Sequence, residues 1–351
     1  MLCCTPFKII STTVLYSGSI NIHIDLTSIE LFAPGYYRET IHTDSSYIMP
    51  LPLIHYLYPS NITKYLNHKP SSADEASWAL ITGGSDGIGR ALSSELGARG
   101  FNVIVHGRNE SKLIKVVGEL QKEHPERNFR YVVADAASFK SEDIQRIVAA
   151  VEDVKLSVLI NNVGGTAVLS TNFMPFEDYA PEEIQAVFSL NVQFPLQLTH
   201  ALLPHLQRAA PTPSLVLTVG SQSYRGQPYV AAYSATKGAL HTWNRAFAAE
   251  QAAAAKSHPS SPQVDILEIV VGATYTSQLQ KEEGLQAGLF MPTAEDMAKA
   301  IIARCGHGHR SVEAYFWHRV QSVTLYNLMP ANAADAMLVN VMKAFIKPKD
   351  V

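Results

Sequence analysis

The stretch Trp78–Gly89, WALITGGSDGIG, constrains the fold more than any other part of the chain. Trp78, Ala79, Leu80 and Ile81 make a short apolar run, Thr82-Gly83 breaks it, Gly87 and Gly89 follow, and a helical pattern opens at Ile88. That order predicts a buried strand, a tight turn and a helix. Such a turn aims backbone N–H groups outward at the positive end of a helix dipole, where a phosphate is stabilised. Glycine suits it because a Cβ would block close approach of a pyrophosphate. The spacing is GxxxGxG, not GxGxxG. An ordinary strand–helix turn reads the same way in isolation, so the assignment depends on stretches further along.

From Ala76 the pattern alternates. Predicted strands at Trp78–Thr82, Phe101–His106, Phe129–Ala134, Leu156–Asn161, Ser214–Val219 and Val264–Val270 are separated by helical periodicities. These helices are predicted at Ile88–Arg99, Glu110–Glu123, Ser141–Val151, Pro181–Leu190, Val192–Arg208, Tyr229–Ala255 and Ala294–Cys305. Ser141 ahead of Glu142 and Asp143, and Thr293 ahead of Asp296, are helix-start signals. Strands alternating with helices imply parallel βαβ units with right-handed crossovers. Near-continuous apolar strands such as LVLTV at 215–219 suit burial on both faces. The expected fold is α/β, a doubly wound parallel sheet over residues 74–310. An N-terminal extension, 1–73, precedes it and a helical tail, 311–351, follows. The polar run NHKPSSAD at 67–74 reads as the linker.

Composition closes off several classes. Apolar residues make up 47% of the 351 and the net charge is -3, which supports a sizeable core and gives no electrostatic case for nucleic acid. Cys3, Cys4 and Cys305 cannot form a disulfide framework. His307 and His309 form an HxH pair with no third ligand nearby, so no metal site is expected. No run of about 18 apolar residues marks a membrane span. Phe7–Ile20 and Tyr47–Tyr58 are weakly apolar, and the second is short enough to lie on a membrane surface instead. No basic n-region or clear h-region of a cleaved signal peptide is present. The sequons at Asn61 and Asn109 carry little meaning in a chain that reads as intracellular.

In a doubly wound sheet, ligands bind beyond the carboxyl ends of the strands. After the second strand, where an acidic residue would hold a ribose 2′-OH, stand Gly107, Arg108 and Asn109. Arg108 can instead grip a 2′-phosphate. Asp135, after the third strand, can accept from an adenine amine or simply cap a turn. Asn161-Asn162-Val163-Gly164-Gly165 follows the fourth, where glycine admits a cofactor ribose. Tyr233 and Lys237 in YSATK lie four apart on one helix face. A phenol titrates near ~10, and an adjacent ammonium lowers that value toward useful acid–base chemistry. Ser221, at the end of the fifth strand, can polarise a substrate carbonyl. Asn191 precedes Pro195 by four residues, so proline has no N–H for the Asn191 carbonyl, which is then available to a relay water.

TGGSDGIG at 82–89, NNVGG at 161–165, Asn191, Ser221 and YSATK together resemble the short-chain dehydrogenase/reductase family over about Ser77–Val320. The resemblance implies a seven-stranded Rossmann sheet and a catalytic set of Asn191, Ser221, Tyr233 and Lys237. Tyr233 would be the general acid/base, and Lys237 would hold the nicotinamide ribose. Ser221 would orient the carbonyl and Asn191 would hold the relay water. The implied cofactor contacts are Thr82, Gly83, Ser85, Asp86, Gly87, Ile88, Gly89, Arg108, Asn109, Asp135, Asn161, Gly164, Tyr233, Lys237 and Thr276.

Within the family, SWALITGGSDGIGRAL, FNVIVHGRNESKL and MPTAEDMAKAII look most like the very-long-chain 3-oxoacyl-CoA reductase and 17β-hydroxysteroid dehydrogenase branch. That branch implies NADP(H), a lipophilic ketone or secondary alcohol as substrate, and the cytosolic face of the endoplasmic reticulum membrane. The cytoplasm is the alternative location. Two departures stand out: no convincing span precedes Ser77, and the family's Pro-Gly after the last long strand is Val271-Gly272. Thr274–Met291, with Leu279, Leu285, Leu289 and Phe290, is a candidate substrate lid or an ordinary packed loop. In the tail, Met337, Leu338, Val341 and Met342 on Ala334–Phe345 suit packing on the domain, membrane contact or a homodimer. The competing functions are a catalytically idle dinucleotide-binding scaffold or sensor and a reductase of secondary-metabolite ketones.

Overall fold

The computed structural model describes residues 55–67, 76–209, 212–258, 262–281 and 285–346, together with the backbone of short strands between 14 and 41. The chain divides into two units, Met1–Tyr58 and Pro59–Val351. In the first, Val14–Tyr16, Ile20–Ile24, Ile29–Phe32 and Glu39–Ile41 form an antiparallel sheet in chain order. Part of the apolar stretch Phe7–Ile20 is therefore a strand; the rest of it, and Tyr47–Ile54, lie outside the described residues.

The second unit is built on seven parallel strands. They are β1 (Ser77–Ile81), β2 (Asn102–Gly107), β3 (Phe129–Val133), β4 (Lys155–Asn161), β5 (Ser214–Ser221), β6 (Val264–Val271) and β7 (Ser311–Glu313). Their order across the sheet is β7-β6-β5-β4-β1-β2-β3. The doubly wound sheet is the one expected, with the reversal of strand order between β1 and β4. The edge strand β7 lies beyond residue 310, in the stretch assigned by pattern to the tail. At three residues it is too short to show a period.

Alternation along each strand feeds two cores. Ala79 and Ile81 of β1 face one side, with Leu92 and Leu96 of α1 (Gly87–Ala98), Leu113 and Leu120 of α2 (Glu110–Glu123), and Ile301 of α7 (Ala294–Ala303). Trp78 and Leu80 face the other. They pack with Ile144 and Ile147 of α3 (Ser141–Ala149), Leu198 and Leu202 of α5 (Phe194–Gln207), and Ala248 of α6 (Ala231–Ser257). Each fully buried leucine or isoleucine contributes roughly 1.5–3 kcal/mol relative to exposure, so β1 is held from both faces. The side chain of Asn109 accepts from the N–H of Lys112 and starts α2, and Thr293 does the same for Asp296 in α7.

The helix predicted from Val192 opens differently. α4 (Pro181–Phe188) runs into a single π-helical turn, Ser189–Gln193, before α5. Pro195 lacks the N–H that an α-helix would send to Asn191, and widening the turn accommodates it.

A short 3₁₀ turn, Ile62–Tyr65, belongs to this second unit although its sequence reads as part of the extension. Ile62 and Tyr65 are buried in the core. The Ser60 hydroxyl donates to the Ile302 carbonyl at 2.6 Å, and the Tyr65 hydroxyl donates to Asp265 at 2.7 Å. After β7 come α8 (Phe316–Val323), a π-turn and α9 (Ala331–Lys343). Ala334 and Leu338 of α9 are buried, while Met337 and Val341 are exposed. Among the described residues no helix is long and apolar enough to cross a membrane, and no group of three acidic, histidine or cysteine side chains could hold a metal.

Candidate active site

The turn after β1 is shaped by its glycines. Gly83 takes a φ of 65°, and a Cβ on Gly89 would lie 2.2 Å from the Gly83 carbonyl oxygen. No side chain fits there. Asp86 accepts from the Gly87 N–H at 2.7 Å and opens α1. Ile88 packs on the core, and Ser85 lies beside Gly107 at the end of β2. Thr82 joins this turn to the one after β4. Its hydroxyl donates to the Ile160 carbonyl at 3.2 Å and accepts the N–H groups of Asn162 and Val163 at 2.9 and 3.0 Å. The Asn162 side-chain amide donates to the carbonyls of Thr82 and Gly83.

Asn161, one residue earlier, faces away from the turn: its amide donates to Thr199 of α5 at 2.9 Å. Strand alternation puts one asparagine of the pair on each side. The sequence reading singled out Asn161, and the neighbour that touches the glycine turn is Asn162.

Arg108 is exposed just after β2, and among the described residues no carboxylate pairs with it. Asn109 is occupied as the cap of α2. Asp135 accepts from the Ala137 N–H and the Ser138 hydroxyl, an Asx turn that leaves lone pairs over. Thr276, after β6, lies against Gly87, and its neighbour Ser277 donates to Asp86 at 2.6 Å. Lys112 also bonds Asp86, which places a second cation near the β2 end. Lys112 was not among the sequence candidates; its place in the first turn of α2, four after Arg108, was the available signal.

The reactive groups converge between β4, β5 and α6. Lys237 is buried, and its Nζ donates to the Val219 carbonyl at 2.9 Å and lies 5.6 Å from the centroid of the Tyr233 ring. The Ser221 hydroxyl donates to Ser223 Oγ at 3.2 Å and stands close enough to the Tyr233 phenol to act on its titration. Ser221 also accepts from the Ser223 N–H, which fixes its rotamer. Asn191, fully buried in the π-turn, accepts from the Gly165 N–H at 2.8 Å and donates to the Gly165 and Val187 carbonyls. A Cβ on Gly164 would lie 2.7 Å from Asn191 Oδ1 and 3.5 Å from Lys237 Nζ. Both side chains therefore flank one clear point above β4.

Burial pulls the Lys237 ammonium down to about 8, against the opposing pull of the Glu268 carboxylate. Burial pushes the Tyr233 phenol up, and Ser221 works the other way. The expectation that the lysine lowers the phenol thus meets a larger desolvation effect in the protein alone.

Beneath the loop that follows β6, His318 of α8 is buried. Its Nδ1 accepts from the Gly272 N–H at 2.9 Å, and Nε2 lies 3.2 Å from both the Ala273 and Phe290 carbonyls. Gln278 donates to Thr166 and Asn172. The candidate lid is thus pinned at both ends. No local pattern marks His318, which comes from a helix more than forty residues downstream.

A seven-stranded crest with a Tyr–Lys pair on α6 and a serine on β5 is the arrangement of a nucleotide-dependent oxidoreductase. The model of the family described as short chain dehydrogenase matches residues 77–285, and the chain belongs to that family. It is an oxidoreductase acting on CH–OH groups. It is similar to a very-long-chain 3-oxoacyl-CoA reductase of Yarrowia lipolytica, 26% identical over 97% of this chain and 86% of the relative. Another relative of that name, from Scheffersomyces stipitis, is 29% identical over 71% of this chain and 69% of its own length. Among solved structures, a short chain dehydrogenase from Escherichia coli complexed with NADPH is 25% identical, with a TM-score of 0.59 over 72% of this chain and 98% of that one. A structure described for 7beta-hydroxysteroid dehydrogenase stereoselectivity shares the fold, with 22% identity and a TM-score of 0.62 over 76% of this chain and 97% of that one.

Proposed function

We propose that the protein is an NADP(H)-dependent reductase of a lipophilic ketone, such as a 3-oxoacyl-CoA or a steroid, or in reverse a dehydrogenase of the secondary alcohol. The observation that carries this reading is that Lys237 and Asn191 flank the clear point at Gly164 while Tyr233 and Ser221 stand next to that lysine, on α6 and β5. The chain fits a dinucleotide at that point. The glycine turn excludes side chains, and a Cβ at Gly164 would fill the space in front of Lys237. Arg108, with Lys112 nearby, would favour a 2′-phosphate, and Gly83, Ser85, Gly87 and Thr276 would hold the pyrophosphate. NADPH, when bound, supplies the hydride.

The residues do the rest. Ser221 donates to the substrate oxygen and fixes its place. Tyr233 gives the proton to the same oxygen as negative charge builds there. Lys237, a cation in a dry site, stabilises the phenolate left behind. Asn191 braces the turn at Gly165 that carries Gly164. Among the described residues, Leu289 and Phe290 at the lid and Met337 and Val341 on α9 are exposed apolar side chains. They suit an acyl chain or a membrane surface, consistent with the cytosolic face of the endoplasmic reticulum and with the names of the relatives. A homodimer is equally compatible with these faces.

The test is NADPH oxidation with a panel of 3-oxoacyl thioesters and steroid ketones, for wild type and Tyr233→Phe. Loss of at least about a hundredfold in the variant is expected, the scale of one positioned acid. Equal rates in the two proteins would end the enzymatic reading in favour of a binding scaffold.

A further inference from the structure

β6 carries a buried acid. Glu268 is 1% exposed, on the strand next to the sheet edge. Its Oε2 accepts the Ser311 hydroxyl of β7 at 2.7 Å and lies 2.7 Å from His241 Nδ1 on α6. Two partners converging on one oxygen is the geometry of a carboxylate acceptor. The other oxygen, Oε1, is buried with no hydrogen-bond partner among the described residues. It points at Gly220, where a Cβ would lie 2.6 Å away. Gly220 sits between Val219, whose carbonyl holds Lys237 Nζ, and Ser221. Lys237 and His241 are one turn apart on α6, so the acid lies under the same helix face as the catalytic lysine.

An unpaired buried carboxylate oxygen is costly unless a charge compensates it. Among the described residues, Lys237 is a buried cation on the same helix face, held by the carbonyl next to Gly220. Conversely, a lysine this deep in the protein tends to lose its proton unless an anion holds it. Each group answers the other's requirement. The further charged and titratable groups facing this cluster are Tyr233 on α6, Tyr224 stacked on His241 at 4.3 Å, Arg225 beside Tyr224, and His318 of α8 near Gly272.

We propose that Glu268, held by Ser311 and His241, is a positioning residue that keeps Lys237 in its ammonium form beneath the active site. The proposal rests on the reading of Lys237 as part of the catalytic set, but its direct test does not depend on turnover. Burial and Glu268 act on Lys237 in opposite directions. Removing the acid leaves burial alone, and the ammonium then dissociates at lower pH.

The experiment follows the Lys237 side-chain titration by NMR of protein carrying isotope-labelled lysine, assigned by the signal missing in Lys237→Arg. In Glu268→Gln, which keeps size and the Ser311 contact, the titration is expected to fall by about one unit, the order that one nearby charge supplies. The alkaline limb of the NADPH-oxidation profile should move down with it, and Glu268→Asp should restore both. His241 is about a quarter exposed, which gives a longer side chain a way out to solvent, and His241→Arg brings a fixed cation to the neighbourhood of the acid. It should shift Lys237 in the same direction and serves if the glutamine variant does not fold. An unchanged Lys237 titration in either folded variant overturns the proposal. If Tyr233→Phe is as active as wild type while the Lys237 shift is present, the enzymatic reading fails and the electrostatic pairing stands.

Discussion

Lys237→Met should change how the stability of the protein depends on pH, by an amount the structure sets. The folded lysine titrates at about 8 instead of 10.5 because burial penalises its charge. At ~1.36 kcal/mol per unit, the difference is about 3 kcal/mol. The sign follows from proton counts. Below pH 8 both folded and unfolded lysine are protonated, and the folded state carries the full penalty. Between 8 and 10.5 the unfolded lysine holds a proton that the folded one has released, so stability rises with pH. Above 10.5 both are neutral and the penalty is gone. The difference in unfolding free energy, wild type minus Lys237→Met, should therefore climb by about 3 kcal/mol across that window. Its steepest slope should approach ~1.4 kcal/mol per pH unit. Urea unfolding of both proteins at half-unit steps from pH 7 to pH 11, with no nucleotide added, gives the curve. Other lysines cancel in the difference. Tyr233, pushed above its ordinary value, ionises toward the top of the window or beyond it. A difference curve that is flat, or that falls as pH rises, would refute the claim that Lys237 is a desolvated cation.

Two substitutions test the cofactor side. Arg108→Asp replaces an exposed cation at the end of β2 with an anion; NADPH affinity should fall at least about tenfold more than NADH affinity in fluorescence titrations, since a charge-assisted contact is involved, and equal losses would remove Arg108 as the phosphate reader. Gly89→Ala places a Cβ 2.2 Å from the Gly83 carbonyl oxygen; relief requires a backbone shift, so a destabilisation of about 1–3 kcal/mol is expected by denaturant unfolding together with weakened nucleotide binding, and a variant with wild-type stability and affinity would show the turn is looser than described.

The parallel sheet was legible because its strands are apolar on both faces and the helices between them repeat at 3.6 residues. The glycine turn, Arg108 and Asp135 were picked out by position, since each lies just after a strand, and the rest by their spacing. What the chain concealed were the long-range pairings. Asn161 and Asn162 are adjacent and chemically identical, and only the pleat decides which one faces the glycine turn. The π-turn at Ser189–Gln193 reads as a continuous helix until Pro195 is weighed against Asn191. Glu268 sits in VDILEIVV, where an acid in an apolar run looks like an edge position. Its burial becomes intelligible only when Ser311 of β7 and His241 and Lys237 of α6 are brought around it. Ser60–Tyr65 reads as part of the N-terminal extension, and its anchoring depends on carbonyls at 302 and 305 and on Asp265.

The Thr82 hydroxyl has a consequence for ligand entry. It stitches the two βαβ halves together at the seam where the winding direction reverses, through direct bonds to three backbone groups. The floor of the crevice is consequently rigid before any nucleotide arrives. Docking then demands no folding of the floor, and the freedom surrendered on capture belongs chiefly to the guest.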